Sequence, residues 1–161
     1  MAQDTSNKSG LKVLQERLTH FKEGLKLAGV KFTHQRLEIF KEVASSGEHP
    51  DAETIFRRVR QRMPSVSLDT VYRTLWLLVD LGLVNTLGPP REKMRFDANL
   101  KPHHHFVCMK CGLTRDFYSP ELDQLPIPDE VQTLGAMKLA QVEVKGICVR
   151  CAQEPNQEPI V

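Results

Sequence analysis

Two Cys-x-x-Cys pairs, Cys108/Cys111 and Cys148/Cys151, account for every cysteine in this chain. Each pair presents two thiolates from one tight turn, and two such turns close a tetrahedral Zn²⁺ cage with no open coordination position. A cage of that kind holds a fold together and performs no chemistry. The stretch between the pairs is long enough to return as a strand and bring both turns together. Disulfides and a redox dithiol are the competing readings. The N-terminus, Met1-Ala2-Gln3-Asp4-Thr5, lacks the basic-then-apolar signature of a secretion signal. The expected compartment is therefore the cytoplasm, where paired cysteines serve metals more often than disulfides. A redox dithiol would accompany a thioredoxin-like βαβ pattern, which this sequence does not display.

A second ligand cluster of different chemistry surrounds the first pair: Asp97, then His103-His104-His105, then Asp116. On an extended strand His103 and His105 share one face and His104 takes the other. Standing alone, three histidines in a row also read as a polar surface run. Two carboxylates with two or three imidazoles suit Mn²⁺ or Fe²⁺, although zinc exceeds both in intrinsic affinity. His49, which precedes Pro50, reads by pattern as a helix-flanking turn residue. His20 and His34 read as surface or partly buried helix positions.

The net charge of +2 is unevenly spread, with sixteen Lys/Arg against twelve Asp/Glu in residues 1–97 and six against eight in residues 98–161. A mildly basic front suits a nucleic-acid partner, and solvated surface charge accounts for it nearly as well. No apolar run approaches the length of a membrane span, so no membrane partner is expected.

The hydrophobic pattern predicts an α+β chain of two domains. Residues 1–10 are polar and expected to be flexible. Leu11, Leu14, Leu18, Phe21, Leu25 and Ala28 then recur at steps of three and four, an amphipathic helix ending near Gly29. Thr33 caps a second helix, which stops at Ser45-Ser46-Gly47. His49-Pro50-Asp51 opens a third, ended by Met63-Pro64, and Ser67 caps a fourth that runs to about Gly82. Strand-like runs at 83–87 and 94–97 flank the turn signal Gly88-Pro89-Pro90. Helices followed by such a hairpin make a winged helix-turn-helix over residues 11–97. Its recognition helix, 68–81, would enter the major groove by its N-terminal end. Residues 98–152 read as a zinc-stapled, metal-sensing domain. Strands are expected near 106–107, 114–118 and 137–144, with a short helix at 129–134. Large apolar residues are few there, so zinc is expected to supply part of the stability. Residues 153–161 are rich in Gln, Glu and Pro and read as a disordered tail.

Ser67, Asp69, Thr70, Tyr72 and Arg73 crowd the first turns of the recognition helix, where hydroxyls and arginine reach phosphates and guanine edges. Arg57, Arg58, Arg60 and Arg62 form either a phosphate-contacting row or a solvated helix face. The same two readings apply to Arg91, Lys93 and Arg95 of the hairpin. Trp76 falls mid-helix and reads as packing.

Taken together, these residues resemble the ferric uptake regulator (Fur) family of bacterial metal-dependent repressors. The resemblance rests on residues 29–36 (GVKFTHQR), His49-Pro50, residues 66–75 (VSLDTVYRTL), residues 95–97 (RFD), residues 103–112 (HHHFVCMKCG) and residues 146–151 (GICVRC). It implies a winged-helix domain, an α/β dimerisation domain, a Cys₄ zinc site and a regulatory Fe²⁺ or Mn²⁺ at the domain junction. It also revises the reading of His49, because the matching position supplies a regulatory ligand. The implied regulatory set is His49, Asp97, His103, His105 and Asp116. Aspartate at both carboxylate positions resembles the peroxide-responsive branch, in which bound iron leads to oxidation of a ligand histidine. His49 and His103 match the susceptible positions. Arg73 looks more like the iron-uptake branch. Pro102, His104 and Ala140 stand where a further metal site is often built, and no additional site is expected.

The implied protein is a homodimeric repressor of double-stranded, palindromic operator DNA that senses peroxide. An Fe²⁺-responsive iron-uptake regulator is the first alternative. A small metal-dependent enzyme is a third, against which the winged-helix front argues.

Overall fold

In the computed structural model, residues 3–88, 94–137 and 139–153 are described, with side chains from Gly10 onward. The chain divides into two compact units, Met1–Leu100 and Lys101–Val161. Among the described residues no helix is long and apolar enough to cross a membrane.

The first unit opens on α1 (Gln3–Leu27), which starts ahead of the apolar repeat at Leu11. The polar run from Gln3, expected to be flexible, instead continues the helix. It contains no proline, and extending an existing helix costs far less than nucleating one. Gly29, at φ 65°, ends the helix in the left-handed conformation that glycine adopts without penalty. The next three helices start where side-chain caps dictate. Thr33 accepts the Arg36 N–H before α2 (His34–Ala44). Asp51 accepts the Thr54 N–H at 2.7 Å before α3 (Ala52–Arg62). Ser67 accepts the Thr70 N–H before α4 (Leu68–Asp80). Each such cap stabilises its helix by about 1 kcal/mol.

Between these helices lies a contiguous apolar core that includes Phe21, Leu25, Ile39, Phe40, Ile55, Leu75, Leu78 and Phe96. Phe21 and Phe40 stack with ring centroids 4.5 Å apart. The arginines of α3 are largely committed within the unit. Arg62 donates to Glu38 and Glu42 of α2, Arg58 lies 4.0 Å from Glu42, and Arg60 covers the Phe56 ring. Arg58 and Arg62 therefore tie α3 to α2, whereas Arg60 rests on a ring of its own helix, so the four arginines are not one free phosphate-contacting row. The hairpin pairs β1 (Asn85–Leu87) antiparallel with β2 (Arg95–Asp97). Arg91 and Lys93 lie outside the described residues.

In the second unit β3 (His104–Cys108) is central. It pairs antiparallel with β4 (Thr114–Phe117) and parallel with β5 (Glu143–Gly146), in the order β4-β3-β5. The last strand is displaced from the expected 137–144, because its register aligns His105 with Glu143 and Cys108 with Gly146. That register delivers Cys148 to Cys108, and because β3 begins at His104, residues well ahead of Glu143 lie past the end of β3. Of three short helices, α6 (Asp129–Leu134) was expected, whereas α5 (Pro120–Asp123) and α7 (Val149–Gln153) were not. Of the tail expected to be disordered over 153–161, Gln153 instead ends α7, and residues 154–161 lie outside the described residues.

Candidate metal centres and nucleic-acid interface

All four cysteines are free thiols, with one sulfur of each within 4.8 Å of the others. Cys111 Sγ and Cys148 Sγ stand 3.8 Å apart. Two sulfurs bound to one tetrahedral zinc at about 2.3 Å are separated by about the same distance. The turn from Cys108 to Cys111 closes through Gly112, at φ 70°, whose N–H donates to the Cys108 carbonyl. The Cys148 N–H donates to Cys108 Sγ at 3.3 Å and draws that thiol down to about 6. The Cys111 thiol is lowered as well, first by the Leu113 N–H. Cys151, hydrogen-bonded to Cys111, is pushed up to about 12. Four adjacent thiols cannot all ionise unless a cation balances them, so the donor set fits a metal better than it fits bare thiolates. Arg150 lies beside Cys111, which raises its guanidinium.

On the same sheet, His103 and His105 turn to one face, as alternation along a strand requires. Their Nε2 atoms are 2.9 Å apart, and Asp116 Oδ1 lies 3.8 Å from the first and 3.6 Å from the second. Asp116 reaches them because it is the cross-strand partner of His105. His103 Nδ1 is 2.7 Å from the Lys101 carbonyl. A carbonyl only accepts, so in the neutral ring Nδ1 carries the hydrogen and Nε2 keeps its lone pair for a metal. The three converging atoms, two imidazole and one carboxylate, suit Fe²⁺, Mn²⁺ or Zn²⁺. His104 takes the opposite face, as expected. It is buried, its Nδ1 accepts the Val142 N–H, and its Nε2 lies 3.3 Å from Asp123. That pairing was invisible in the sequence, since Asp123 is brought there by the unexpected α5.

The first unit holds its own pair of candidate ligands. His49 is buried and adopts φ 49°, the one non-glycine residue with positive φ among the described residues. Its Nδ1 lies 3.7 Å from Asp97 Oδ1. The strained backbone is held from β2: Arg95 Nη1 donates to the carbonyls of Glu48 and His49, and the Phe96 N–H donates to the Pro50 carbonyl. Arg95 therefore serves this turn. His20 and His34 are exposed.

Along α4, Val71, Thr74, Leu75 and Leu78 face the core. Asp69, Tyr72, Arg73, Trp76 and Asp80 form the exposed stripe. Ser67 Oγ is occupied as the N-cap and shares a hydrogen with Thr70 Oγ1 at 2.9 Å. Asp69 holds Arg73 through a 2.9 Å pair whose arginine side chain remains 81% exposed. Asp69 thus orients an arginine. Trp76 is 44% exposed and packs against Phe96 in a T-shaped arrangement, so the packing reading holds in part.

Comparison with known proteins agrees with this geometry. Residues 27–145 match the profile of the ferric uptake regulator family. The chain is 34% identical over 132 residues to the peroxide-responsive repressor PerR of Staphylococcus epidermidis, covering 82% of this chain and 88% of that protein. The repressor of the same name from Staphylococcus aureus is 32% identical over 127 residues, covering 79% and 86%. Among solved structures, the ferric uptake regulator Fur of Helicobacter pylori superposes with a TM-score of 0.68 at 25% identity, covering 89% of this chain and 96% of that one. The Campylobacter jejuni peroxide stress regulator gives 0.62 at 27% identity, covering 83% and 98%. These relatives regulate transcription, which removes the enzyme reading. A match that runs through both compact units leads to one conclusion: the chain belongs to the ferric uptake regulator family of metal-dependent, DNA-binding repressors.

Proposed function

We propose that this protein is a homodimeric repressor, dependent on Fe²⁺ or Mn²⁺, that senses peroxide through oxidation of its own histidine ligands. The observation that carries the reading is the convergence of His103, His105 and Asp116 on one strand face, with aspartate as the carboxylate. The likeness to peroxide-responsive repressors supports the same branch. Cys108, Cys111, Cys148 and Cys151 hold a structural Zn²⁺. His49 and Asp97 of the first unit and His103, His105 and Asp116 of the second hold the regulatory metal.

Fe²⁺ held by these residues would supply one-electron chemistry toward H₂O₂, which Mn²⁺ does not readily do. In the net balance iron regains its electron, a ring carbon of the ligand histidine gains one oxygen, and the other peroxide oxygen leaves as water. An oxidised His49 or His103 is a poorer nitrogen donor, so the ligand set comes apart. Because metal binding favours the conformer that supplies all its ligands, loss of one ligand withdraws that bias and releases DNA. Dimerisation suits the β5 edge of the sheet, unpaired among the described residues, where Val144 and the following Ile147 are exposed. A two-fold dimer presents two copies of α4, so its operator is palindromic, with half-sites one or more helical turns apart.

The test is anaerobic. Fe²⁺-loaded protein treated with stoichiometric H₂O₂ is expected to lose operator binding and gain one oxygen on His49 or His103, while the Mn²⁺ form keeps both operator and mass. Peptide mass spectrometry reads the result. Repression that follows Fe²⁺ concentration alone, with no mass change, replaces this reading with iron-uptake regulation.

A further inference from the structure

We propose that Trp76 is a DNA-backbone contact, its indole N–H donating to a phosphate oxygen of the strand that borders the groove occupied by α4. The inference rests on the DNA-binding reading and extends it past the first turns of the helix.

Tryptophan in a soluble domain is mostly buried, yet Trp76 is 44% exposed in the middle of a well-packed helix. It lies one turn beyond Tyr72, itself 40% exposed, on the same outer stripe. Phe96 of β2, only 1% exposed, packs against the indole in a T-shaped arrangement, with ring centroids 6.3 Å apart at 78°. The ring is thus braced from behind by the hairpin, at the corner between helix and hairpin, with its outer part in solvent. A braced ring loses little freedom when something binds to it. The indole N–H makes no hydrogen bond among the described residues, and it can only donate.

A helix with side chains is about 10–12 Å across and fills a major groove about 12 Å wide. A side chain leaving α4 sideways, toward the hairpin, therefore meets the groove wall, which is sugar and phosphate. A neutral donor fixed at that height matches a phosphate oxygen and carries no base information. One turn further along the stripe stands the exposed carboxylate of Asp80, which repels phosphate. The contact surface accordingly ends at Trp76.

The experiment uses full-length Mn²⁺-loaded protein, a duplex it selects from random sequence, and a scrambled duplex. Trp76→Phe keeps a ring against Phe96 and deletes only the donor. Expected is about tenfold weaker binding to both duplexes, the loss of one charge-assisted hydrogen bond. The ratio between duplexes and the salt dependence should stay unchanged, because an uncharged donor releases no counterion. Trp76 is the sole tryptophan, so wild-type fluorescence provides a second readout: the selected duplex should protect it from acrylamide. Unchanged affinity of Trp76→Phe, or unchanged quenching of wild type on binding, overturns the contact alone. Weakening confined to the selected duplex overturns it in favour of base readout. Failure of wild type to bind any duplex overturns the regulator reading and this contact with it.

Discussion

The two units of this chain are held together by different means. In the first, a continuous apolar core runs from Phe21 to Ala98, with α2 and α3 further clamped by Arg62. Each fully buried leucine or phenylalanine there contributes about 1.5–3 kcal/mol. In the second, the buried hydrophobic cluster is Cys108, Cys148 and Cys151, with Phe106 and Leu113 against it. Leu134, Met137, Leu139, Ile147 and Val149 are exposed. A unit so poor in core needs its stability from outside, from a metal in the cysteine cage and from a second copy over the exposed face. On the proposed reading, the first unit holds its fold by its own sequence, whereas the second is conditional on what it binds.

The largest expected effect tests that conditionality. Zinc removal by a strong chelator, or Cys108→Ser or Cys151→Ser, should unfold the second unit and abolish the dimer while the first unit keeps its helices. The free energy at stake is on the order of 10 kcal/mol. Hydrogen exchange resolved by unit, with metal analysis, checks it, and uniform loss of protection in both units would erase the contrast. Next in size is the converse experiment. Phe40→Ala should cost about 3–5 kcal/mol, melting the first unit while zinc stays bound to the second. Urea titration followed by helical signal and by zinc content should give two separate midpoints. The smallest effect concerns acid. Lys41 first, then Arg62, holds the Glu38 carboxyl below its usual value of 4.5. A carboxyl lowered in the folded state stabilises it at neutral pH, and that contribution disappears as pH falls through the lowered value. Glu38→Gln should remove a stabilisation of less than about 1 kcal/mol at pH 7 and flatten the first unit's melting temperature below pH 4.5. A mutant whose acid profile parallels wild type would leave the clamp without energetic weight.

The same contrast explains what was legible in the sequence. Helices α2 and α4 begin at the expected caps Thr33 and Ser67, and α3 begins at the expected opening His49-Pro50-Asp51, since capping is a local, chemically specific event. The facing of His103 and His105 was legible because alternation along a strand is also local. The limits of α1 were not, since residues 3–10 have no apolar face to announce a helix. Ser119 followed by Pro120 and Glu121 did carry a start signal for α5, but four residues offer too little periodicity to act on. The position of β5 and the approach of Asp123 to His104 depend on register between distant segments, which no local pattern encodes. The clamp of Arg58 and Arg62 on α2 was hidden for the same reason.

His49 has a consequence for how variants of this protein are interpreted. Its left-handed backbone is a conformation that an isolated chain would abandon, and Arg95 holds it from a strand two residues ahead of Asp97. The turn and the strand therefore form one mechanical part, with an arginine as its rivet. Natural changes at Arg95 would let the turn relax and withdraw the imidazole, so on the proposed ligand set they would mimic loss of a metal ligand. In a survey of sequence variation, Arg95 would be grouped with the metal site although it binds no metal, and a basic residue beside the wing would be mistaken for a DNA contact.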